Sequence, residues 1–254
     1  MFSDVTTWFV IFVRFSAYML LFPVTATQSL PVMMRLGFSG LCAFLIMPMV
    51  PAVAGVGSLH GWIGLFFMEI STGLILGLLA RFIFYAVEIA GSLVSTETGL
   101  MLSTNFNPIT STFGSAPGAL LHWMTMVILL ALNLHHWIII GLQRSYSVIP
   151  AGGAHFTELL LQNVVGHASA MFVIALQMTA PILACSFLVT LVFSLLGRAV
   201  PQMNVFSESF PVRSVAGLAV FGLTCNLLAQ HIVNHLNRIP EEFIRVAGMM
   251  SPAL

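Results

Sequence analysis

The sequence predicts an all-α membrane protein, and three observations carry that reading. The apolar runs are long and continuous instead of alternating. Of the 254 residues, 59% are hydrophobic and only 6% charged. Mean hydropathy is +1.03. A soluble domain keeps roughly a quarter of its residues charged to hold its surface in water, so a chain this short and this apolar needs lipid around it. Lipid accepts only helices and closed barrels, because every backbone N–H and C=O must bond within the protein. Unbroken apolar runs favour the helix.

Six stretches reach the roughly 20 residues that cross a bilayer core, near 8–23, 33–50, 61–90, 118–142, 166–196 and 214–236. The first has neither a positively charged leader nor a small-residue cleavage site, and is expected to be a retained span. Pro23, Pro48 and Pro51 bracket the first two spans. The third holds Glu69, Arg81 and Glu88, and its Gly73 and Gly77 form a GxxxG that permits close helix approach. Pro181 falls inside the fifth and predicts a kink or break there. Cys42, Cys185 and Cys225 sit far apart with no ligand spacing and read as small apolar packers.

The charges are eight arginines and eight acids, with no lysine. This balance creates no field to gather nucleic acid or steer an acidic substrate. Alternating the six spans puts Arg144, Arg238 and Arg245 on one side and Arg35, Arg198 and Arg213 on the other. With the two sides tied, the positive-inside rule does not set the orientation, which suggests placement by partners. Arg14, Glu69, Arg81 and Glu88 are intramembrane charges, which are costly and face protein or water. Arg81 and Glu88 are seven residues apart, nearly on one helix face, and an interior ion pair is expected. Arg14 is expected to snorkel or to meet a partner on another helix.

Residues 91–118 read GSLVSTETGLMLSTNFNPITSTFGSAPG, with many hydroxyls and amides and Glu97 as the one charge. Such side chains compete for backbone hydrogen bonds, and Asn107-Pro108 and Ala116-Pro117-Gly118 add breakers. Irregular, polar, uncharged backbone suits a segment folded into protein or lining a wet cavity; an ordinary exposed loop is the alternative.

Enzymatic motifs are scarce. Gly37-Phe38-Ser39-Gly40 matches the GxSG around a rhomboid-type intramembrane serine, with His231 or His235 available as a base. The rhomboid serine, however, belongs to the fourth core helix, and here it falls in the second. Flanking glycines make Ser39 a packing patch more simply. His231 and His235 share a face at metal-compatible spacing, yet no third ligand is fixed nearby, and they read as interfacial, as do His135-His136-Trp137. A secondary transporter with midplane ionisable groups is the main competing class, but it should show two corresponding halves, and no convincing internal repeat is found.

The stretch 197–213, GRAVPQMNVFSESFPVR, closely resembles the FliR/SctT family, the R-type subunit of the flagellar and type III secretion export gate. Gly197, Arg198, Pro201, Gln202, Asn204, Phe206 and Pro211 match its pattern in order. LLFPVTATQSLPVMMRLGFSG resembles the family's first inter-helix turn, with Pro23, Pro31, Arg35 and Gly37 in place. Ala90-Gly91, Thr98-Gly99 and Asn107-Pro108 resemble its AG…G…DP pattern, with Asn107 where aspartate is common. LNLHHWIII with Ser145 and Pro150 resembles its NGH…S…P block.

The resemblance implies a structural, channel-forming component of a flagellar or injectisome export gate, not an enzyme, with no cofactor or metal. It implies a P-type unit fused to a Q-type helical hairpin, divided near 1–165 and 166–254. Partners would be P-type (FliP/SctR) and Q-type (FliQ/SctS) subunits, a FlhB/SctU-type switch protein and unfolded secreted substrates, in the bacterial inner membrane. The segment after the third helix is implied to plug the closed channel. A channel wide enough for an unfolded chain needs an apolar seal that dewets, for which Met101, Leu102, Phe106, Ile109 and Phe113 are the candidates, with Asn107 and Pro108 in the same plug segment. Pro201, Gln202 and Asn204 are expected to fix a turn that packs against a neighbouring subunit. The four intramembrane charges are expected to lack enough partners within one chain.

Overall fold

Continuous apolar sequence with few internal breakers folds into long helices, and all regular structure among the described residues is helical. The computed structural model describes residues 2–23, 31–53, 58–100, 116–200, 202 and 204–251. In chain order the helices are α1 Phe2–Leu21, α2 Val32–Ile46 with a following 3-10 turn Met47–Met49, α3 Leu59–Glu97, α4 Ala116–Ala131, α5 Leu134–Val148, α6 Glu158–Ala199, α7 Val205–Leu236 and α8 Ile239–Met249. Five segments are long and apolar enough to cross a membrane, or six if α4 and α5 are taken as one broken span.

Four sequence expectations are corrected. The stretch 91–118, expected to be irregular, is helical at its described ends, residues 91–97 belonging to α3 and 116–118 to α4. The stretch 118–142 is two helices, because Asn133 takes a left-handed conformation (φ 54°) between α4 and α5; asparagine tolerates that region better than other non-glycine residues. The turn expected at 197–213 is shorter. Phe206 and Pro211 belong to the first turns of α7, whose start at Val205 follows from Asn204 as its cap. Of the kink or break expected at Pro181, no break occurs: α6 is continuous through it. Neighbouring helices and hydroxyls let membrane helices carry such prolines.

With 39 and 42 residues, α3 and α6 are roughly 58 and 63 Å long at 1.5 Å per residue. Each is about twice the roughly 30 Å hydrocarbon core, so both project well beyond it.

The chain forms two compact units. The first comprises residues 1–82, 129–168 and 236–254. Here α3 seats α1 through its GxxxG. A Cβ at Gly73 would stand 2.3 Å from the Arg14 carbonyl oxygen, and one at Gly77 would stand 2.9 Å from that of Tyr18. The obstruction is backbone, so only glycine admits this approach. On the other side of α1, Trp8 stacks on Phe12 at 5.5 Å and donates its indole N–H to the Gly40 carbonyl of α2 at 3.1 Å. The amphipathic α8 returns to the same unit. Its Phe243 meets Tyr18 edge-on at 6.2 Å and packs on Gly141, and the His155 N–H donates to the Met250 carbonyl at 3.0 Å.

The second unit comprises residues 83–128 and 169–235. There α3 and α4 cross at two glycines, since a Cβ on Gly91 would lie 2.4 Å from the Gly118 Cα. Phe84, Val87, Ala90, Val94 and Leu121 are buried along this crossing's helices, as are Met178 and Ile182 of α6.

Candidate functional site

In the first unit, Arg14 and Glu69 form a bidentate ion pair between α1 and α3. The guanidinium Nε donates to Glu69 Oε2 at 2.7 Å and Nη2 donates to Oε1 at 2.9 Å. The remaining hydrogen-bonding capacity of both groups is also used. Arg14 Nη1 donates to Ser145 Oγ at 3.0 Å, and Nη1 and Nη2 both reach the Ile149 carbonyl, at 3.4 and 3.3 Å. Glu69 accepts from the Tyr146 hydroxyl at 3.2 Å and from the Gly152 N–H at 2.8 Å. The Arg14 guanidinium also lies 3.7 Å from the centroid of the Tyr146 ring, in cation–π geometry. Gly152 offers its N–H from a left-handed turn (φ 72°) just after α5.

This geometry decides what the pair does. The side chains are 1% exposed, and every strong bonding direction is filled, which is the condition under which a buried pair survives desolvation. No lone pair is left for an ion or substrate, so the pair acts as a joint binding α1, α3 and the end of α5. The expectation that Arg14 and Glu69 lack partners within the chain is therefore wrong: the chain supplies them all. Arg14 does meet a partner on another helix, one of the two outcomes its sequence position allows. Glu88, which spacing sets beside Arg81, lies with Oε1 3.7 Å from His122 Nδ1 of α4; Arg81 is half-buried on α3.

In the second unit, the α6–α7 hairpin grips the C-terminal end of α3. Glu97 accepts a short hydrogen bond from Ser186 of α6, and the Thr98 carbonyl accepts one from Ser214 of α7 at 2.5 Å. Gly99 adopts φ 75° with its open face against the Phe210 ring, where a Cβ would stand 2.2 Å from a ring carbon. Gly217 makes room for the Thr98 methyl, and Arg213 Nη2 donates to Thr190 Oγ1 at 2.7 Å across the hairpin. At the hairpin turn, Gly197 faces Val205, and Asn204 caps α7 by accepting the Ser207 N–H at a long 3.5 Å. Gln202 and Arg198 are exposed there. Pro201 and the plug residues Met101, Leu102, Phe106, Asn107, Pro108, Ile109 and Phe113 lie outside the described residues.

The remaining candidates have no enzymatic geometry around them. The Ser39 hydroxyl is buried and donates to the Arg35 carbonyl of its own helix at 2.8 Å. His231 and His235 stack with ring centroids 6.4 Å apart, and His235 Nδ1 lies 2.8 Å from the His231 carbonyl oxygen. Among the described residues no group of three His, Cys, Asp or Glu could hold a metal.

Sequence reasoning missed Tyr146 and Gly152. The signal was present, since Pro150-Ala151-Gly152-Gly153 is a turn after an apolar helix, and Ser145 and Pro150 already stood in a family block.

Long apolar helices joined by closed polar contacts define an integral membrane protein without a reactive centre among these residues. The sequence profile described as Bacterial export proteins, family 1, matches residues 5–239, and the chain belongs to that family, in which FliR and SctT proteins fall. It is 29% identical to the flagellar biosynthetic protein FliR of Bacillus subtilis (strain 168), over 92% of each chain. It is 23% identical to FliR of Escherichia coli (strain K12), over 87% of this chain and 86% of that one. It is 28% identical to the secretion system apparatus protein SsaT of Salmonella typhimurium, over 81% of this chain and 82% of that one.

Proposed function

We propose that this chain is the R-type structural subunit of a flagellar or type III export gate in the bacterial inner membrane. It helps form and seal the conduit for unfolded substrates, beside P-type, Q-type and switch-protein partners. The family match over residues 5–239 carries the reading. Coverage within the chain supports it. In the most apolar stretch of α6 the buried share is 11% and in the segment containing α7 it is 17%, against 44% in α1 and α3 and 22% in the span that includes α2. A Q-like hairpin at 166–254 would leave such surface for neighbouring subunits, and the 1–165 part would take the P-like place. A conduit passing many sequences should carry little fixed charge on its wall, since charge would hold oppositely charged segments, and residues 91–118 have one acid and no base.

Removal of the gene in frame tests this. Flagellar or effector proteins should vanish from the culture medium while accumulating normally inside the cell, and a plasmid copy should restore them. Undiminished secretion by the deletion strain would contradict the proposal.

A further inference from the structure

In the first unit, His167 of α6 and Glu242 of α8 face each other, with Nε2 3.3 Å from Oε2. The other ring nitrogen, Nδ1, lies 2.9 Å from the Asn163 carbonyl oxygen, one turn earlier on α6. Both neighbours are acceptors, since a carbonyl oxygen and an ionised carboxylate offer lone pairs and no hydrogen. A neutral imidazole carries one N–H, so it would satisfy one of these contacts and turn a lone pair on the other. The doubly protonated ring suits both. The contact with Glu242 is therefore an ion pair that lasts while the second proton is bound.

The groups facing the pair leave it as the one link that a proton controls here. From α3, the buried Phe82 ring lies nearly parallel to the imidazole, at 19° with centroids 6.3 Å apart, and brings no charge; Arg81 precedes it in sequence. On α8, Arg245 Nη1 donates to both Glu242 oxygens, at 3.0 and 3.3 Å. Glu242 thus keeps a cation when His167 is neutral, and what is lost is the tie between helices. The side chains of His167 and Glu242 are 27% and 24% exposed, so the pair exchanges protons with its surroundings. Glu242 belongs to the first turn of α8. Further along, Phe243, Val246 and Ala247 are buried, and the Met250 carbonyl accepts the His155 N–H. Those apolar and backbone contacts carry no titrating group and hold the body of the helix. Histidine is the side chain whose charge ordinarily changes between about pH 5 and 8, which makes the tie at the start of α8 conditional.

We propose that His167 and Glu242 form a proton-dependent latch, which holds the start of α8 against α6 in acid and slackens as rising pH removes the second proton of the ring. The latch goes beyond the assignment to an export gate and does not depend on it.

The test is amide hydrogen exchange on the complete gate, purified in mild detergent through a tag on this chain from cells expressing all its subunits. Protection factors, with the pH dependence of intrinsic exchange divided out, report the ratio of docked to open α8. Going from about pH 5.5 to about pH 8 crosses the range of histidine. It should lower protection over 239–249 about fivefold, the upper end for a solvent-accessible ion pair, while α1 keeps its protection. His167→Gln, which retains a neutral N–H donor, and Glu242→Gln should each abolish the response to pH. Arg245→Gln leaves the latch in place and should keep the response. The exposed His155, at the far end of α8, is the rival titrating group, and a response that survives both glutamine variants would assign the effect to it and overturn the latch. Equal wild-type protection at the two pH values would overturn it without any variant, as would a parallel loss across α1. None of these results touches the gate assignment. Wild-type chain that purifies without any other subunit would contradict that assignment instead, and exchange measured on it would still decide the latch.

Discussion

Replacing Arg14 by leucine should lower the stability of this chain by about 3–5 kcal/mol, the cost of leaving one member of a buried pair unpartnered. The reason is local and specific. Without the guanidinium, Glu69 keeps only the Tyr146 hydroxyl and the Gly152 N–H, and Ser145 and the Ile149 carbonyl lose the donor that ties them to α1. A total of about 5–15 kcal/mol is typical of a whole domain, so the loss is a large share. Glu69→Leu should do comparable damage by stranding the buried guanidinium. The pair Arg14→Met with Glu69→Leu should be milder than either single change, because paired apolar replacements remove the uncompensated charge. Steady-state accumulation and the detergent-solubilised melting point of the gate read these effects. Equal losses in the double and single variants would show that the joint works through packing alone.

The second large effect is functional. The seal proposed for the segment after α3 rests on its sequence. Bulky apolar side chains must close a gap wide enough for an unfolded chain, because polar groups alone hold water. Deleting 105–113, or changing Phe106 and Phe113 to glycine, should leave the gate assembled but make cells leaky to ions and small solutes. Secretion should persist, with some loss of selectivity. Conductance or small-solute uptake in cells expressing the complete gate is the readout. A tight membrane around a normally assembled mutant gate would remove the plug and leave 91–118 as packing between helices.

Much of the fold is legible in the sequence because its signals are local. Long apolar runs announce helices, whereas the start of α7 at Val205 falls inside the stretch expected as a turn, because the apolar run begins only later. Other features are hidden for stated physical reasons. Asn133 reads as part of one span, since a single amide does not interrupt hydropathy, yet its left-handed backbone separates α4 from α5. Gly73 and Gly77 make one weak motif in a glycine-rich chain, and only the packing of α1 across them gives it meaning. The Arg14–Glu69 joint unites groups 55 residues apart with Ser145 another 76 beyond Glu69, and helical spacing reads only neighbours on the same helix. Helical spacing likewise gives no hint that His122 of α4 comes within 3.7 Å of Glu88. The grip on Glu97 and Thr98 by Ser186 and Ser214 is equally non-local.

The central claim, that this chain works as one member of a membrane-embedded export gate, is tested most directly by native mass measurement. The tagged chain should be extracted in mild detergent from cells that also express the P-type and Q-type subunits. The predicted result is one discrete complex containing all three, with this chain absent from the monomer range. A well-behaved, monodisperse monomer recovered under those conditions would contradict it.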